Sequence, residues 1–254
     1  MTTPDTKRIL ITIEYDGAPF VGWQRQENGA SVQAAIEAAA EAFIGVPTQV
    51  AGAGRTDSGV HATAQAAHID VPARFDANRV QEALNAHLGG VPVTICSARE
   101  VPDTFHARFS AIGRRYLYRI LAQRQKPALA LGRVWHHRQP LDSQRMHDAA
   151  QCLVGQHDFT SFRASQCQAE SPLRTLDRLS VERVGDEIHV RGEARSFLHH
   201  QMRNITGTLA LVGAGKWQVK DVQAALAARN RAAAGPTAPP YGLYLVGVDY
   251  PDLD

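Results

Sequence analysis

The sequence predicts an α+β protein of two similar halves, and three observations carry that prediction. Short runs alternate apolar and polar residues, as around Ile9, Ile11, Ile13 and Tyr15, which is the period of a strand. Other stretches space apolar residues at helical intervals, as in Val32, Ile36, Ala39 and Phe43. Strands, returning helices and hairpins recur on both sides of about residue 105, a mixture that stacks sheet against helices. The halves are expected at 1–105 and 106–254, with no isolated linker between them, so that one continuous sheet serves both.

The elements follow in chain order. Residues 8–15 are the first strand, closed by the turn pair Asp16-Gly17. The segment after it, APFVGWQRQ, interleaves polar residues with aromatics and has the character of a functional loop. Ser31 is placed to cap a helix starting at Val32, and Gly45 and Pro47 stop it. Residues 51–62, AGAGRTDSGVHA, are too rich in small residues for a helix or a packed strand interior and are expected to form a tightly turning loop. A strand over 63–70, a helix over 76–88 and a strand over 91–98 complete the first half.

In the second half a long strand is expected over 108–121, with Tyr116, Tyr118 and Ile120 on one face and Arg115, Leu117 and Arg119 on the other. A helix over 142–153 is capped by Asp142 or Ser143. Residues 173–184 and 186–195 form a hairpin about Gly185-Asp186. Helices over 197–213 and 218–230, the rigid tract GPTAPP and a strand over 242–249 finish the chain.

Composition narrows the function. Apolar residues are 44% and charged ones 20%, which supports a packed core over 254 residues and argues against wholesale disorder. Net charge is only +2, yet 23 of the 27 cations are Arg, the side chain suited to phosphate oxygens. Between Arg99 and Arg133 eight basic residues face two acidic ones, and Arg191, Arg195 and Arg203 gather near His199 and His200. Such patches fit a polyanionic partner, and equally an ordinary solvated face. Three cysteines at no scaffold spacing point to a reducing compartment. The N-terminus lacks the apolar run of a signal peptide, and no stretch is apolar enough to span a membrane, so a cytoplasmic protein is expected. No phosphate-loop or dinucleotide fingerprint occurs, so no nucleotide cofactor is expected. No metal is expected either: His199 and His200, adjacent on the predicted helix, should point apart.

The densest local signal is Gly54-Arg55-Thr56-Asp57-Ser58-Gly59-Val60-His61. Arg55 so close to Asp57 would hold the carboxylate ionised and aimed, as a nucleophile or base requires. The same pattern also suits an Asx-type turn closed by a local ion pair. Two function classes compete with a single-carboxylate enzyme. A pure RNA-binding protein would keep the basic clusters without needing Asp57. A nucleosidase or glycosidase normally needs two carboxylates, and only one sits in a convincing loop.

Several segments together resemble the TruA family of tRNA pseudouridine synthases. They are EYDGAPFVGWQRQ at 14–26, AGRTDSGVHA at 53–62, FHARFSAIGRRYLYRI at 105–120, DFTSF at 158–162, FLHHQMRNITG at 197–207 and TAPPYGLYLVGVDY at 237–250. The resemblance implies a pseudouridine synthase fold with a largely antiparallel sheet, a homodimer, and uridines 38, 39 and 40 of the anticodon stem-loop as targets, without cofactor. Carried over by position, it implies Asp57 as the essential aspartate, Arg55 as its partner, Tyr116 as the tyrosine that meets the base, and Arg203 as the basic residue of the HHxxRN segment. Leu243 and Leu245 match the apolar segment that supports the pocket. Gln201 departs from the pattern, where an apolar residue is expected. The target base must be flipped out of its helix, and Arg114, Arg115 and Arg119 are the expected phosphate contacts. Trp23, Gln24 and Arg25 either touch RNA or shape the pocket.

Overall fold

The structure is a computed structural model that describes residues 6–251. The first five residues and the last three, at the ends of the expected halves, lie outside the described residues. The chain folds as two compact units: one runs up to Ile112 and takes in the stretch from Leu245 onward, and the other is Gly113–Tyr244.

The first unit starts with β1, Thr6–Tyr15, whose Ile9, Ile11, Ile13 and Tyr15 are buried as the alternation predicts. Helix α1, Val32–Ile44, begins where Ser31 accepts the Ala34 N–H and ends at left-handed Gly45. A short strand β2, Val50–Gly52, precedes β3, His61–Pro72. Helix α2, Ala77–His87, is capped by Asp76, and β4, Val93–Val101, follows. Strand β1 lies between β3 and β4, antiparallel to both, and β2 pairs antiparallel with β3. Helices α1 and α2 pack on each other, and α2 packs on β4. His68 on β3 is buried, which drops its pKa to about 4, so its neutral Nδ1 accepts the Ala107 N–H.

The second unit contains β5, Gly113–Ala122, β6, Trp135–His137, α3, Ser143–Ala150, β7, Gly155–Asp158, β8, Leu173–Leu176, β9, Arg178–Val184, and β10, Glu187–Ala194. Helices α4, Gln201–Gly213, and α5, Val219–Ala227, precede the last strand, β11, Leu243–Asp249. Strand β10 runs antiparallel between β5 and β9, and β6 lies parallel beside β5. Helix α3 packs on β9 and α4. Beyond Tyr244, β11 enters the first unit and lies beside β3. The fold is therefore α+β with largely antiparallel sheet flanked by helices, as the sequence predicts.

Three expectations are corrected. The small-residue segment is not loop throughout: Ala51 and Gly52 belong to β2, and His61 and Ala62 open β3. The stretch 173–184 is two strands, of which β8 pairs with β7 and only β9 forms the hairpin with β10. The helix expected from residue 197 starts at Gln201, because His200 adopts a left-handed backbone (φ 63°) that no α-helix continues through.

Candidate active site

The Asp57 loop is built by backbone contacts with the segment after β1. Gly22 forms an isolated antiparallel bridge with Asp57, and the Trp23 N–H donates to the Thr56 carbonyl at 3.1 Å. That approach needs glycine: at Gly22 φ is +119°, and an added Cβ would stand 2.6 Å from the Thr56 carbonyl oxygen. Two N–H groups at the start of α1 bind the same segment, Val32 to the Gly22 carbonyl and Gln33 to that of Trp23. They are among the donors a helix N-terminus leaves unused. The loop then closes as a turn, with the Val60 N–H donating to the Asp57 carbonyl at 3.1 Å and Gly59 supplying a φ of +76°.

Side chains lock the loop from within. Thr56 is buried and its hydroxyl meets that of Tyr15 at 2.7 Å. Gln65 donates to the Gly54 carbonyl, and Ser58 to that of Phe20. The Trp23 ring is 2% exposed and lies against Gly52, so Trp23 shapes the loop and has no face left for RNA. Gln24 is half-buried and Arg25 exposed, its guanidinium engaged by Glu37.

The expected ion pair between Arg55 and Asp57 is not formed. Among the described residues no hydrogen bond or salt bridge joins them, and Arg55 is exposed. Thr56 turns inward to Tyr15, while Arg55 stands exposed and Asp57 is half-buried.

In the second unit, the two tyrosines of RRYLY divide their work. Tyr118 is fully buried, and burial pushes its phenol well above the usual value. Its hydroxyl donates to the Pro239 carbonyl at 2.7 Å. Tyr116 is only half-buried, and its ring meets Phe197 edge-to-face, 5.0 Å between centroids at 82°. Phe197 opens the helix that the sequence predicts over 197–213, and helical spacing carries no sign of its contact with Tyr116. Tyr118→Phe is expected to destabilise the fold by about 1–2 kcal/mol, since it orphans the Pro239 carbonyl. Urea unfolding checks this, and an unchanged midpoint would contradict the assignment of Tyr118 to the core.

The three expected phosphate arginines differ. Arg115 is exposed. Arg114 is half-buried and donates to the Arg195 carbonyl at 2.7 Å. Arg119 makes a two-pronged pair with Glu187, at 2.8 and 2.6 Å, and lies under the Tyr244 ring. Hydrogen bonding to Glu187 raises the Arg119 pKa. Burial pushes Glu187 up, but the hydrogen bonds from Arg119 and His189 outweigh it and hold the carboxyl below its usual value. Arg119 is thus already neutralised by a partner.

His199 and His200 precede α4 instead of riding on it, and the turn at His200 brings their rings to 4.1 Å, so they do not point apart. Gln201 is 1% exposed, and its Oε1 accepts the Leu198 N–H at 2.8 Å. A polar residue there closes the turn that His200, which offers no side-chain cap, leaves open. Arg203 donates from Nε to the Ala238 carbonyl at 2.9 Å, tying α4 to the segment before β11. Leu243 and Leu245 are both buried.

The family described as tRNA pseudouridine synthase matches residues 11–110 and 149–251, which contain the Asp57 loop, α4 and β11. The chain belongs to the tRNA pseudouridine synthase family. Curated relatives named tRNA pseudouridine synthase A are similar over nearly the whole chain. The protein from Rhodospirillum centenum is 57% identical over 244 residues, covering 96% of this chain and 100% of its own. Those from Caulobacter sp. strain K31 and Rhodospirillum rubrum are 57% and 56% identical, each covering 96% of this chain, and 98% and 88% of their own.

This pseudouridine synthase is therefore an enzyme, an isomerase, and the pure RNA-binding and nucleosidase alternatives fall away. Its substrate is tRNA. Among the described residues no helix is long and apolar enough to cross a membrane.

Proposed function

We propose that the enzyme converts uridines of the tRNA anticodon stem-loop, at positions 38, 39 and 40, to pseudouridine, with Asp57 as the reacting carboxylate. The observation that carries this reading is the way the Asp57 loop is built. Its backbone is bridged to Gly22 and Trp23, while its carboxylate is half-buried. A rigid loop that presents one carboxylate suits a reaction with no net redox change. The bond from N1 to C1′ breaks, a bond from C5 to C1′ forms, the C5 proton leaves and N1 gains a proton. Asp57 acts either by attack on C1′ or by assisting loss of the 2′ proton. Between the two, the base turns so that C5 faces the sugar.

In this reading Tyr116 stacks on the flipped uracil and its hydroxyl assists departure of the C5 proton. The edge contact with Phe197 supports the role by fixing the ring. Arg203 holds the segment before β11, and Leu243 and Leu245 form the apolar backing. The reaction draws on no cofactor. The enzyme is proposed to work as a homodimer in the cytoplasm, with the RNA crossing both subunits. Purified enzyme and an unmodified transcript carrying uridines at 38, 39 and 40 test the site assignment. Chemical mapping should find pseudouridine at those positions, and product confined elsewhere in the tRNA would contradict it.

Phosphate contact should make binding salt-dependent, with a log–log slope of roughly −0.7 to −0.9 per contact. Arg115, exposed, is proposed to make such a contact, and Arg114 to help place its strand. Arg119, held by Glu187, serves the sheet. Arg115→Ala is expected to make the slope shallower by about 1, and Arg119→Ala to leave it unchanged. The opposite pattern in filter-binding titrations would reverse these roles.

A further inference from the structure

We propose that Glu37 is a positioning residue for Asp57. From helix α1 its carboxylate ties down both chain segments that frame the Asp57 loop. The proposal rests on Asp57 being the reacting carboxylate.

Glu37 is a buried acid that the chemistry above does not use. Its Oε1 accepts the Val50 N–H at 3.1 Å and the Gln33 amide at 3.1 Å, and its Oε2 accepts the Arg25 guanidinium. Gln33, one turn earlier on the same helix face, repeats the pattern. Its Oε1 accepts the Arg25 N–H at 3.0 Å, and its Nε2 also donates to the Val50 carbonyl at 3.0 Å. Val50 opens β2, which leads directly into the Asp57 loop. Arg25 ends the segment that carries Gly22 and Trp23.

The route from this clamp to Asp57 is short and consists of backbone. The Gln33 N–H holds the Trp23 carbonyl at 3.0 Å, the Trp23 N–H holds the Thr56 carbonyl, and Gly22 bridges Asp57. A buried carboxylate bound by three donors makes charge-assisted bonds that are short and directional, so it is a stiff anchor. The Arg25 side chain, 62% exposed, is tethered by this one ion pair. The arrangement assigns Arg25 to the clamp, in contrast to a phosphate contact.

The test compares Glu37→Gln, Arg25→Ala, the double variant and Asp57→Asn on one tRNA transcript, measuring kcat, KM, RNA affinity and its salt slope. Arg25 is largely exposed, so its variant remains informative even where Glu37→Gln folds poorly. Each single variant is expected to lower kcat by roughly tenfold to a hundredfold, the scale of a small misplacement of a reacting group. KM, RNA affinity and salt slope should stay near wild type. The double variant should be no worse than the more damaging single one, because both break the same clamp. Wild-type kcat in Arg25→Ala, or a loss confined to KM with a shallower salt slope, overturns the proposal. An active Asp57→Asn would instead overturn the underlying site reading. An inactive Asp57→Asn beside fully active Arg25→Ala and Glu37→Gln overturns this proposal alone.

Discussion

Replacing Asp57 with asparagine is expected to abolish pseudouridine formation while leaving the fold and tRNA affinity close to wild type. The loop does not hang on the Asp57 side chain alone. Its backbone bridges Gly22, its carbonyl accepts the Val60 N–H, and the neighbouring Thr56 is pinned by Tyr15 and Trp23. Asparagine keeps the size and those backbone bonds. It removes the negative charge, and with it the ability to attack C1′ or to take a proton. The expected loss is on the order of 10⁴-fold or more in single-turnover rate, the scale seen when a group acting on the reacting atoms is removed. Thermal unfolding and RNA titration should move little. A variant that reacts at an appreciable fraction of the wild-type rate would remove Asp57 from the chemistry.

The second large effect is expected at Tyr116, and it should separate cleanly from Arg55. Tyr116→Ala removes both the ring and the hydroxyl, and base–aromatic stacking is worth about 1–3 kcal/mol. It should therefore weaken substrate binding and slow the reaction together. Tyr116→Phe keeps the ring and its edge contact with Phe197, so binding should hold while product forms slowly. An adduct or a detached-base intermediate should then accumulate in rapid-quench samples. Arg55→Ala is expected to behave differently. Since no ion pair joins Arg55 to Asp57, the acidic limb of the pH–rate profile should stay in place, and the loss should fall on RNA binding. A limb that moves to higher pH would restore Arg55 as the group that keeps Asp57 ionised. A Tyr116→Phe enzyme that turns over at the wild-type rate would exclude the hydroxyl from proton transfer.

Much of the framework was legible because its signals are local. Ser31 and Asp142 sit at helix caps where short polar side chains satisfy the first N–H groups, and each accepts the expected bond. The buried face of β1 follows from alternation alone. What was not legible depends on partners far along the chain. Strand β2 has three residues, too few to show a period, and exists because β3 pairs with it. Strand β8 pairs with β7, so a plausible long strand over 173–184 is split. The late start of α4 comes from one backbone angle at His200, and leucine and methionine spacing cannot reveal it.

The site followed the same division. The motif around Asp57 was plain in the residues, but the state of its arginines was not. Arg119 looks like a cation available to phosphate until Glu187, 68 residues away, is seen to hold it. Arg55 looks like a partner for Asp57 until its side chain is seen to stand exposed while Asp57 is half-buried. Glu37 carries no signal at all in the sequence, since a lone glutamate on an amphipathic helix is ordinarily solvated. Its importance comes from burial against Arg25 and Val50.

The most direct test of the central claim is tritium release from C5-labelled uridine in a tRNA anticodon stem-loop, measured for the wild type and for Asp57→Asn. Formation of the C5–C1′ bond must expel the C5 hydrogen, so the wild-type enzyme should release tritium in proportion to pseudouridine formed. Asp57→Asn should release none above background while still binding the RNA. Release at the wild-type rate by Asp57→Asn, or no release by the wild-type enzyme on this substrate, would contradict the account.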